Sequence, residues 1–453
     1  MLRAGASVTI ITPPLGHPLA GLFHRREATT VVDDLTSRAI VLDDGRTRLA
    51  IVVCDLIALK AQMVNSIRAL IQGATGIPPA NVMISCTHTH TGPVTSPHRS
   101  DAPDPAYMDW LVTRVADGVK IAFSRLQPAQ VAHGSAPVSG VCFNRRYRMR
   151  DGTVVFNPGT HNPDVIGPAG PTDPAVTALL VESTKGVPIA LWSCLSTHYA
   201  GTDDDYAISP DYYGEHARVV RAALGDRCVG AHANGASGNI NTIDVTEALG
   251  RAGAEKANLV GLSTAAAAIQ GVATRPRSDS LTLATSSVSV GVNRWPVSNR
   301  DVEVATDLMT NSALVDDLVA GSFSYLVGQS IPAYQIHAYA QGLLDLAAMP
   351  ETAEAEVQVL RIGEFAIAAL PGEVFVEFGL ELKESSPFST TAVVGLANGN
   401  LGYLPTRTAF GEGGYETWRG DWTWTAEGTG ELLVESASRQ LQELAALNRS
   451  ASE

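Results

Sequence analysis

The chain has 453 residues, of which 45% are hydrophobic, and a formal net charge of −14. A chain of this length and composition can bury a large core, and no part of it has the composition of a disordered segment. Its acidity argues against nucleic acid or an anionic membrane surface as the main partner, because both attract clusters of Lys and Arg. We expect a small-molecule partner and leave open whether the chain forms a homo-oligomer.

The N-terminal segment matches a signal peptide poorly. Its apolar stretch is short, contains threonines and ends at Pro13-Pro14. No segment approaches the roughly 20 apolar residues that a membrane-spanning helix needs. The default expectation is therefore a cytoplasmic address with no integral membrane association.

The cysteines are odd in number, scattered and mostly inside apolar runs, which indicates reduced, buried thiols. They are Cys54, Cys86, Cys142, Cys194 and Cys228. Cys86 lies two residues before a histidine, but we interpret it as a small core residue and not as a nucleophile.

A βαβ unit is predicted near the N-terminus, from a strand at 48–56, a helix at 61–72 and a second strand at 81–87. A right-handed crossover makes the two strands parallel and brings Asp55 towards the end of the second strand. Asp55 could then support a ligand, and helix capping explains it equally well.

The remainder of the chain continues to alternate between strand-like and helix-like runs. The predicted elements are a helix at 105–126, a hairpin of 176–183 and 187–196, helices at 211–224 and 249–269, a strand at 280–292, a mostly helical stretch at 299–347, a strand at 354–370 broken by Gly363, and helices after Glu373 and at 431–447. We predict one α/β domain over 1–453, with mixed β-sheets covered by helices. The stretch 299–347 is interpreted as an insertion over the functional site.

His88 and His90 close the apolar run at 82–85. Alternate side chains of a strand share one face, so both imidazoles would point the same way, about 6.6 Å apart along the chain. This geometry suits a metal ion. Two polar residues at a strand end would give the same pattern.

Two further candidate ligands also follow apolar strands. His198 comes after the run 189–195, and Glu373 comes after the run 365–370. A catalytic zinc typically takes three such nitrogen or oxygen ligands and keeps one position open. A shared metal site is one interpretation of these residues, and separate structural roles at each strand end are the other.

Several motifs together resemble the catalytic domain of the neutral ceramidase family, and most closely the shorter bacterial ceramidase-like proteins. They are C-T-H-T-H-T-G-P at 86–93, F-N-R at 143–145, S-T-H at 196–198, G-N-I-N at 238–241, L-P-G-E at 370–373, G-L-A-N-G-N-L-G-Y-L-P-T at 395–406 and G-G-Y-E at 413–416. The resemblance implies a layered α/β catalytic domain. The secretion signal and the C-terminal immunoglobulin-like domain of the long ceramidases find no match in this sequence.

The resemblance implies a zinc amidase with one zinc ion per chain. The metal ligands carried over from the family motifs are His88, His198, Glu373 and Tyr403. Tyr403 comes from the resemblance alone, because a Tyr in an apolar loop is more often a packing residue. The sequence does not exclude manganese or iron in place of zinc.

The family also implies catalytic roles. The second histidine of its motif transfers a proton, which falls on His90, and an Arg and a Tyr contact the substrate carbonyl, which fall on Arg145 and Tyr415. Zinc would polarise the amide carbonyl, a neutral His would move the proton to the leaving amine, and the two donors would stabilise the oxyanion.

The clearest departure from the ceramidases is at their nucleophilic serine. The motif G-D-V-S-P aligns with G-N-I-N-T, which puts Asn241 at the Ser and Asn239 at the Asp. An amide cannot be that nucleophile, so we expect attack by zinc-bound water, with Asn241 positioning water or substrate. Ser237 could be the nucleophile only in a shifted register, and a small turn residue is the better interpretation.

Smaller departures point away from ceramide. Asn400 and Val32 stand where relatives commonly carry Tyr and His, so the pocket wall should differ. Asp211 matches an acidic position of the family, and it could equally begin a helix.

We therefore predict a zinc-dependent hydrolase that cleaves an amide, lactams and imides included, in a small soluble substrate. An esterase or lactonase would use the same zinc and oxyanion donors. A metal-dependent ligand-binding protein without catalysis is the alternative from another class.

Overall fold

The computed structural model describes residues 1–22, 24–96, 101–246, 251–310, 331 and 335–447. Its strands are β1 (Arg3–Ile10), β2 (Thr30–Val31), β3 (Thr36–Asp43), β4 (Arg48–Cys54), β5 (Val82–Cys86), β6 (Gln127–Pro137), β7 (Phe143–Asn144), β8 (Arg146–Met149), β9 (Val154–Phe156), β10 (Val165–Pro168), β11 (Ala175–Ser183), β12 (Pro188–Leu195), β13 (Ala207–Ile208), β14 (Val229–Asn234), β15 (Ile240–Asn241), β16 (Leu283–Asn293), β17 (Thr352–Ile362), β18 (Phe365–Ala369), β19 (Glu373–Val374), β20 (Thr390–Val394) and β21 (Tyr403–Leu404). Its α-helices are α1 (Ala61–Thr75), α2 (Pro105–Ser124), α3 (Tyr212–Leu224), α4 (Gly253–Ala273), α5 (Asn299–Thr310), α6 (Ile336–Ala348), α7 (Val376–Ser385), α8 (Arg407–Glu412) and α9 (Thr429–Ala446).

Two mixed sheets dominate the fold. The larger has eight strands in the order β14-β12-β11-β6-β1-β3-β4-β5, and the smaller has four in the order β16-β17-β18-β20. Most neighbouring strands are antiparallel, but β4 with β5, β12 with β14 and β18 with β20 are parallel. The mixed α/β class expected from the sequence is confirmed.

The two sheets pack face to face, with helices on their outer faces. Side chains from both sheets share one apolar cluster, in which the rings of Trp192 and Phe365 lie 5.9 Å apart. Helices α1 and α2 bury their apolar faces on β3, β4 and β5, while α6, α7 and α9 cover the smaller sheet. Burial of apolar area on both faces of each sheet is the main stabilisation of these layers.

The predicted βαβ unit is present as β4, α1 and β5, and its two strands are parallel. Val64, Ile67 and Ile71 form the buried face of α1. Neither role considered for Asp55 is observed. Its carboxylate accepts hydrogen bonds from Arg38, at 2.9 Å, and from Thr36, and it is fully buried, while the residue before α1 is Lys60.

Several strands of the large sheet were not predicted, namely β1, β3, β6 and β14. Strand β1 is rich in small residues because α2 crosses it closely. A Cβ on Gly5 would lie only 2.2 Å from the Ala122 carbonyl oxygen. Such a strand lacks the β-branched and aromatic residues by which strands are usually identified.

Helices α5 and α6 occupy the two ends of the stretch 299–347, and 311–330 and 332–334 lie outside the described residues. Whether this stretch is an insertion, and whether 1–453 is one domain, stay predictions. All five cysteines are free thiols, and Cys86 is a buried core residue as expected. None of the helices in the described ranges combines the length and apolar character required to cross a membrane.

Candidate metal centre

The turn after β5 carries His88 and His90. Strand β5 ends at Cys86, and His88 has a φ of +67°, in the left-handed region. The expectation that both side chains project from one face of a strand is therefore wrong, because neither histidine lies on the strand. The turn brings the two rings together nevertheless, with centroids 4.8 Å apart.

The segment that follows the neighbouring parallel strand β4 fixes both the backbone and the ring of His88. The His88 amide donates to the Leu56 carbonyl at 2.9 Å, and its Nδ1 lies 2.9 Å from the Ile57 carbonyl. A carbonyl oxygen can only accept, so Nδ1 carries the proton and Nε2 keeps its lone pair. This is the usual orienting contact of a metal-ligating histidine.

His198 is held in the same way at the end of β12. Its Nδ1 lies 3.2 Å from the Ser237 carbonyl, so its Nε2 also presents a lone pair. Burial, followed by the nearby Arg145 cation, holds the pKa of His198 well below its usual range. The ring is therefore neutral, as a metal ligand must be.

Three lone pairs converge where Glu373 meets these rings. Glu373 Oε2 lies 3.4 Å from His88 Nε2 and 3.6 Å from His198 Nε2. It is buried and has no hydrogen-bond partner among the described residues. Lone pairs this close together repel one another, and a cation bound among them would offset that repulsion. Zinc bonds of about 2.1 Å in a tetrahedral site put ligand atoms about 3.4 Å apart, so the donor set fits such an ion.

His90 completes a group of three histidines that could hold a metal ion. The ring nitrogens of His88, His90 and His198 offered as ligands lie within 4.8 Å of one another. Glu373 Oε2 lies closer to His88 Nε2 and His198 Nε2 than this limit, so we interpret Glu373, and not His90, as the third ligand. Both ring nitrogens of His90 are buried without a hydrogen-bond partner in the described part of the chain. Burial, and then His88 and two nearby arginines, keep its pKa well below the usual range.

Tyr403 lies directly opposite Glu373 in the parallel pair formed by β19 and β21. Its ring is 5.2 Å from the Arg145 guanidinium carbon, and the side chain is 5% exposed. Burial raises the pKa of Tyr403 well above its usual range, so the phenol is neutral when no metal is bound.

Arg145 is fixed by a buried carboxylate that the sequence did not single out. Glu416 is fully buried and bridges Arg145 Nε, at 2.7 Å, and Arg146 Nη1, at 3.2 Å. Burial alone would lower the pKa of Arg145, but Tyr403, Glu416 and Glu373 together raise it. Arg145 Nη1 lies 3.4 Å from His198 Nε2, and Nη2 has no partner among the described residues. Arg145 Nη2 can therefore donate a hydrogen bond to a ligand.

The segment 237–241 lies beside these residues. Strands β15 and β7 pair, with Asn241 opposite Phe143, so the motifs G-N-I-N and F-N-R are neighbours in space. The Asn241 amide donates to Asn157 Oδ1 at 2.7 Å, and its oxygen accepts from the Ile243 amide. Its predicted role in positioning water or substrate stays a prediction.

Ser237 contributes its backbone carbonyl to His198, as described above. Asn239 accepts from the Val376 amide at 2.9 Å and donates to Glu377 at 2.8 Å. It therefore ties this segment to the start of α7, immediately after the strand that carries Glu373.

The expectation that Asp211 begins a helix is confirmed. Its carboxylate caps α3 through the Tyr212 amide and accepts from the amides of Ala200, at 3.0 Å, and Gly201, at 2.8 Å. It thereby holds the loop that follows His198. Burial raises the pKa of Asp211 to about 6.

A cavity of about 570 Å³ opens onto these residues. Tyr415 lies on its wall and stacks on Trp422, with centroids 6.2 Å apart. The end of α6 contributes Asp345, and Asn400 also lines the cavity, whereas Val32 is 63% exposed and does not. The cavity is lined mainly by apolar and aromatic side chains, and His88 and His90 are part of the lining.

The structure thus gathers His88, His90, Arg145, His198, Glu373, Tyr403 and Tyr415 around one cavity or in contact with its lining. Sequence reasoning missed Glu416, Arg26 and Tyr199. Glu416 directly follows Tyr415 in G-G-Y-E, and Tyr199 directly follows His198 in S-T-H-Y. Their positions next to predicted site residues could have identified both of them. Arg26 gave no signal, because it acts through backbone carbonyls.

The fold has known counterparts among solved structures. The neutral ceramidase from Pseudomonas aeruginosa superimposes with a TM-score of 0.72 and 19% sequence identity, over 99% of this chain and 75% of that chain. A ceramidase complexed with C2 gives the same TM-score and coverage at 18% identity. No protein-family model and no curated protein sequence matches the chain. The chain therefore has a ceramidase-like fold, as its motifs predicted.

Proposed function

Starting from this ceramidase-like fold, we propose that the protein is a zinc-dependent hydrolase that cleaves an amide, lactams and imides included, in a small soluble substrate. The observation that carries the proposal is the convergence of Glu373 Oε2 on the Nε2 atoms of His88 and His198. Buried lone pairs this close together suit a bound cation, and Tyr403 would be the fourth ligand. When bound, the metal would supply a Lewis acid that polarises the scissile carbonyl and activates water.

The residues around the ligands have chemically distinct tasks in this proposal. Burial keeps the pKa of His90 low, and neither ring nitrogen has a hydrogen-bond partner among the described residues, so the ring can take a proton from the attacking water and pass it to the leaving amine. Arg145 Nη2 and the Tyr415 hydroxyl donate to the carbonyl oxygen as negative charge develops on it. Asn241 positions water or substrate, and no side-chain nucleophile takes part.

The cavity supports a compact substrate. Its volume of about 570 Å³ is within the range of small-molecule sites, and its lining is mainly apolar and aromatic. The chemistry of the donors does not require a lipid. A cytoplasmic address is part of the same proposal.

Metal content measured by mass spectrometry on purified protein tests the proposal. We expect about one zinc per chain in the parent, none in His88→Ala and a weakened site in Tyr403→Phe. Protein that is folded, metal-free and not reconstituted by added zinc would contradict the metallohydrolase assignment. Manganese or iron at the same stoichiometry would change the ion and leave the ligand set intact.

An esterase or lactonase would use the same oxyanion donors, Arg145 and Tyr415. A panel of matched amide and ester substrates separates the two, and turnover of esters without any amide cleavage would reject the amidase. A binding protein without catalysis is tested by His90→Ala. If the parent shows no hydrolysis, while both proteins bind metal and ligand equally, the binding function is correct.

A further inference from the structure

His90 is held differently from the other two histidines of the cluster. His88 and His198 are each oriented by a hydrogen bond from Nδ1 to a backbone carbonyl. Neither ring nitrogen of His90 has a hydrogen-bond partner in the described ranges. A proton-transferring imidazole is normally oriented by such a bond, so another interaction must fix this ring.

One face of the His90 ring is covered by Tyr199. The two rings are stacked, with centroids 3.8 Å apart and planes 19° from parallel. Tyr199 belongs to the loop that Asp211 holds through the amides of Ala200 and Gly201. The phenol ring is therefore a fixed surface against which the imidazole lies.

Gly21 contacts His90 closely. A Cβ on Gly21 would lie 2.6 Å from His90 Cγ and 2.7 Å from His90 Cβ, closer than real side chains approach. Gly21 also has a φ of +103°, which L residues rarely adopt. Only glycine fits at this contact.

Arg26 fixes the segment that carries Gly21. Its guanidinium is buried and donates to the carbonyls of Ala20, Asp205 and His90, the last at 2.8 Å. One cation thus joins the Gly21 segment to the His90 backbone, so the distance between them is set by a rigid connection.

We propose that Gly21 and Tyr199 are positioning residues that hold the His90 ring between the Gly21 backbone and the Tyr199 phenol. This inference rests on the proposed function, in which His90 is a catalytic residue whose ring must keep a fixed place beside the reacting bond.

Gly21→Ala tests the close contact. The added methyl displaces the imidazole, and a misplacement of about 1 Å lowers kcat by about 10- to 100-fold. KM and metal content should not change, because the ligands His88, His198 and Glu373 are untouched. The matched control is Gly16→Ala, since Gly16 has a φ of +85° and a Cβ added there would meet nothing within 4 Å. It has a similar backbone strain without the contact to His90, and it should keep the parent kcat.

The Tyr199 side chain is tested with two variants. Tyr199→Leu removes the stacked ring and should lower kcat by about tenfold or more with KM unchanged. Tyr199→Phe keeps the ring and should recover most of the turnover, because the proposal requires the aromatic face and not the hydroxyl. If Gly21→Ala does not fold, this pair still decides the question.

Crystal structures of Tyr199→Leu and Tyr199→Phe give a measurement independent of activity. We expect the His90 ring to rotate or lose order in the first variant and to stay in place in the second. An unmoved ring in Tyr199→Leu, or parent kcat in both Tyr199→Leu and Gly21→Ala, would overturn the proposal. If the parent cleaves neither amides nor esters, the proposed function fails, and the ring position alone still decides whether the residues hold His90.

Discussion

Glu373 and Tyr403 are paired across a two-stranded parallel sheet, so that a buried carboxylate and a buried phenol lie side by side. The Glu373 amide also donates to the Gly402 carbonyl at 2.8 Å. Gly402 directly precedes Tyr403, so this hydrogen bond joins the two segments next to both side chains. Thirty residues of chain separate them in sequence. A proposed ligand pair is thus set by backbone pairing, independently of the side chains themselves.

Glu373→Gln should abolish metal binding without unfolding the protein. The amide has the size of the carboxylate, but it lacks the charge, and its NH₂ group can donate to the lone pairs of His88 and His198. Thermal unfolding checks this. We expect added zinc to raise the Tm of the parent, because a ligand that binds the native state stabilises it, and to leave the variant unchanged. An equal rise in both proteins would show that Glu373 is not a ligand.

Glu416→Gln should destabilise the fold as well as the site. Glu416 is fully buried between Arg145 and Arg146, so its loss removes the paired carboxylate of Arg145 and leaves Arg146 only its longer contact with Glu412. Breaking a buried pair in this way costs about 3–5 kcal/mol in the free energy of unfolding.

Glu412→Gln is the matched control for that substitution. Glu412 binds Arg146 and Arg148 from a more exposed position, with 18% of its side chain accessible, and should cost about 1 kcal/mol or less. Urea unfolding of the two variants gives the comparison. Equal losses would mean that the Glu416 pairs are screened like surface ion pairs.

Asp211→Ala should cost more stability than removal of a simple helix cap. It releases the amide of Tyr212 at the start of α3 and also those of Ala200 and Gly201. We expect a loss of about 2 kcal/mol or more, since capping alone accounts for about 1 kcal/mol. The control is Asp104→Ala, which removes the cap of α2, where the side chain accepts from two amides of its own helix and lies 3.2 Å from His17 Nε2. Equal losses of unfolding free energy in the two variants, measured by urea unfolding, would show that Asp211 acts only as a helix cap.

Much of the layered fold follows from local patterns. The βαβ unit, the hairpin of β11 and β12, and α2 are within a few residues of their predicted bounds, because each combines a clear apolar period with a turn or cap signal. Strands β1 and β6 were missed, since close helix packing selects small residues in β1 and β6 contains two prolines and a glycine. Such packing constraints come from distant parts of the chain.

The candidate site could also be predicted only in part from the sequence. His88, His198 and Glu373 were singled out by their positions after apolar runs, and the structure brings them together. The contacts that orient the two histidine rings could not be predicted from the sequence. The partners of the rings are the backbone carbonyls of Ile57 and Ser237, and every residue has such a carbonyl. The left-handed φ of His88 likewise belongs to a turn conformation that the strand pattern could not indicate.

A second histidine pair, remote from the ligands, predicts how stability depends on pH. Ser193 Oγ lies 2.7 Å from His232 Nδ1 and 3.0 Å from His216 Nε2, between β12, β14 and α3. Burial lowers the pKa of His232 from 6.5 to about 3. The unfolded chain therefore takes up a proton below pH 6.5 that the folded protein does not.

His232→Gln should remove this pH dependence. The parent should lose about 3 kcal/mol of stability from His232 between its unfolded pKa and about pH 4, and the loss is complete near the folded pKa. The stability of the variant relative to the parent should therefore rise as the pH falls through this window. Urea unfolding of parent and variant at several pH values measures this difference, and a pH-independent difference would show that His232 takes up its proton as readily in the folded protein as in the unfolded chain.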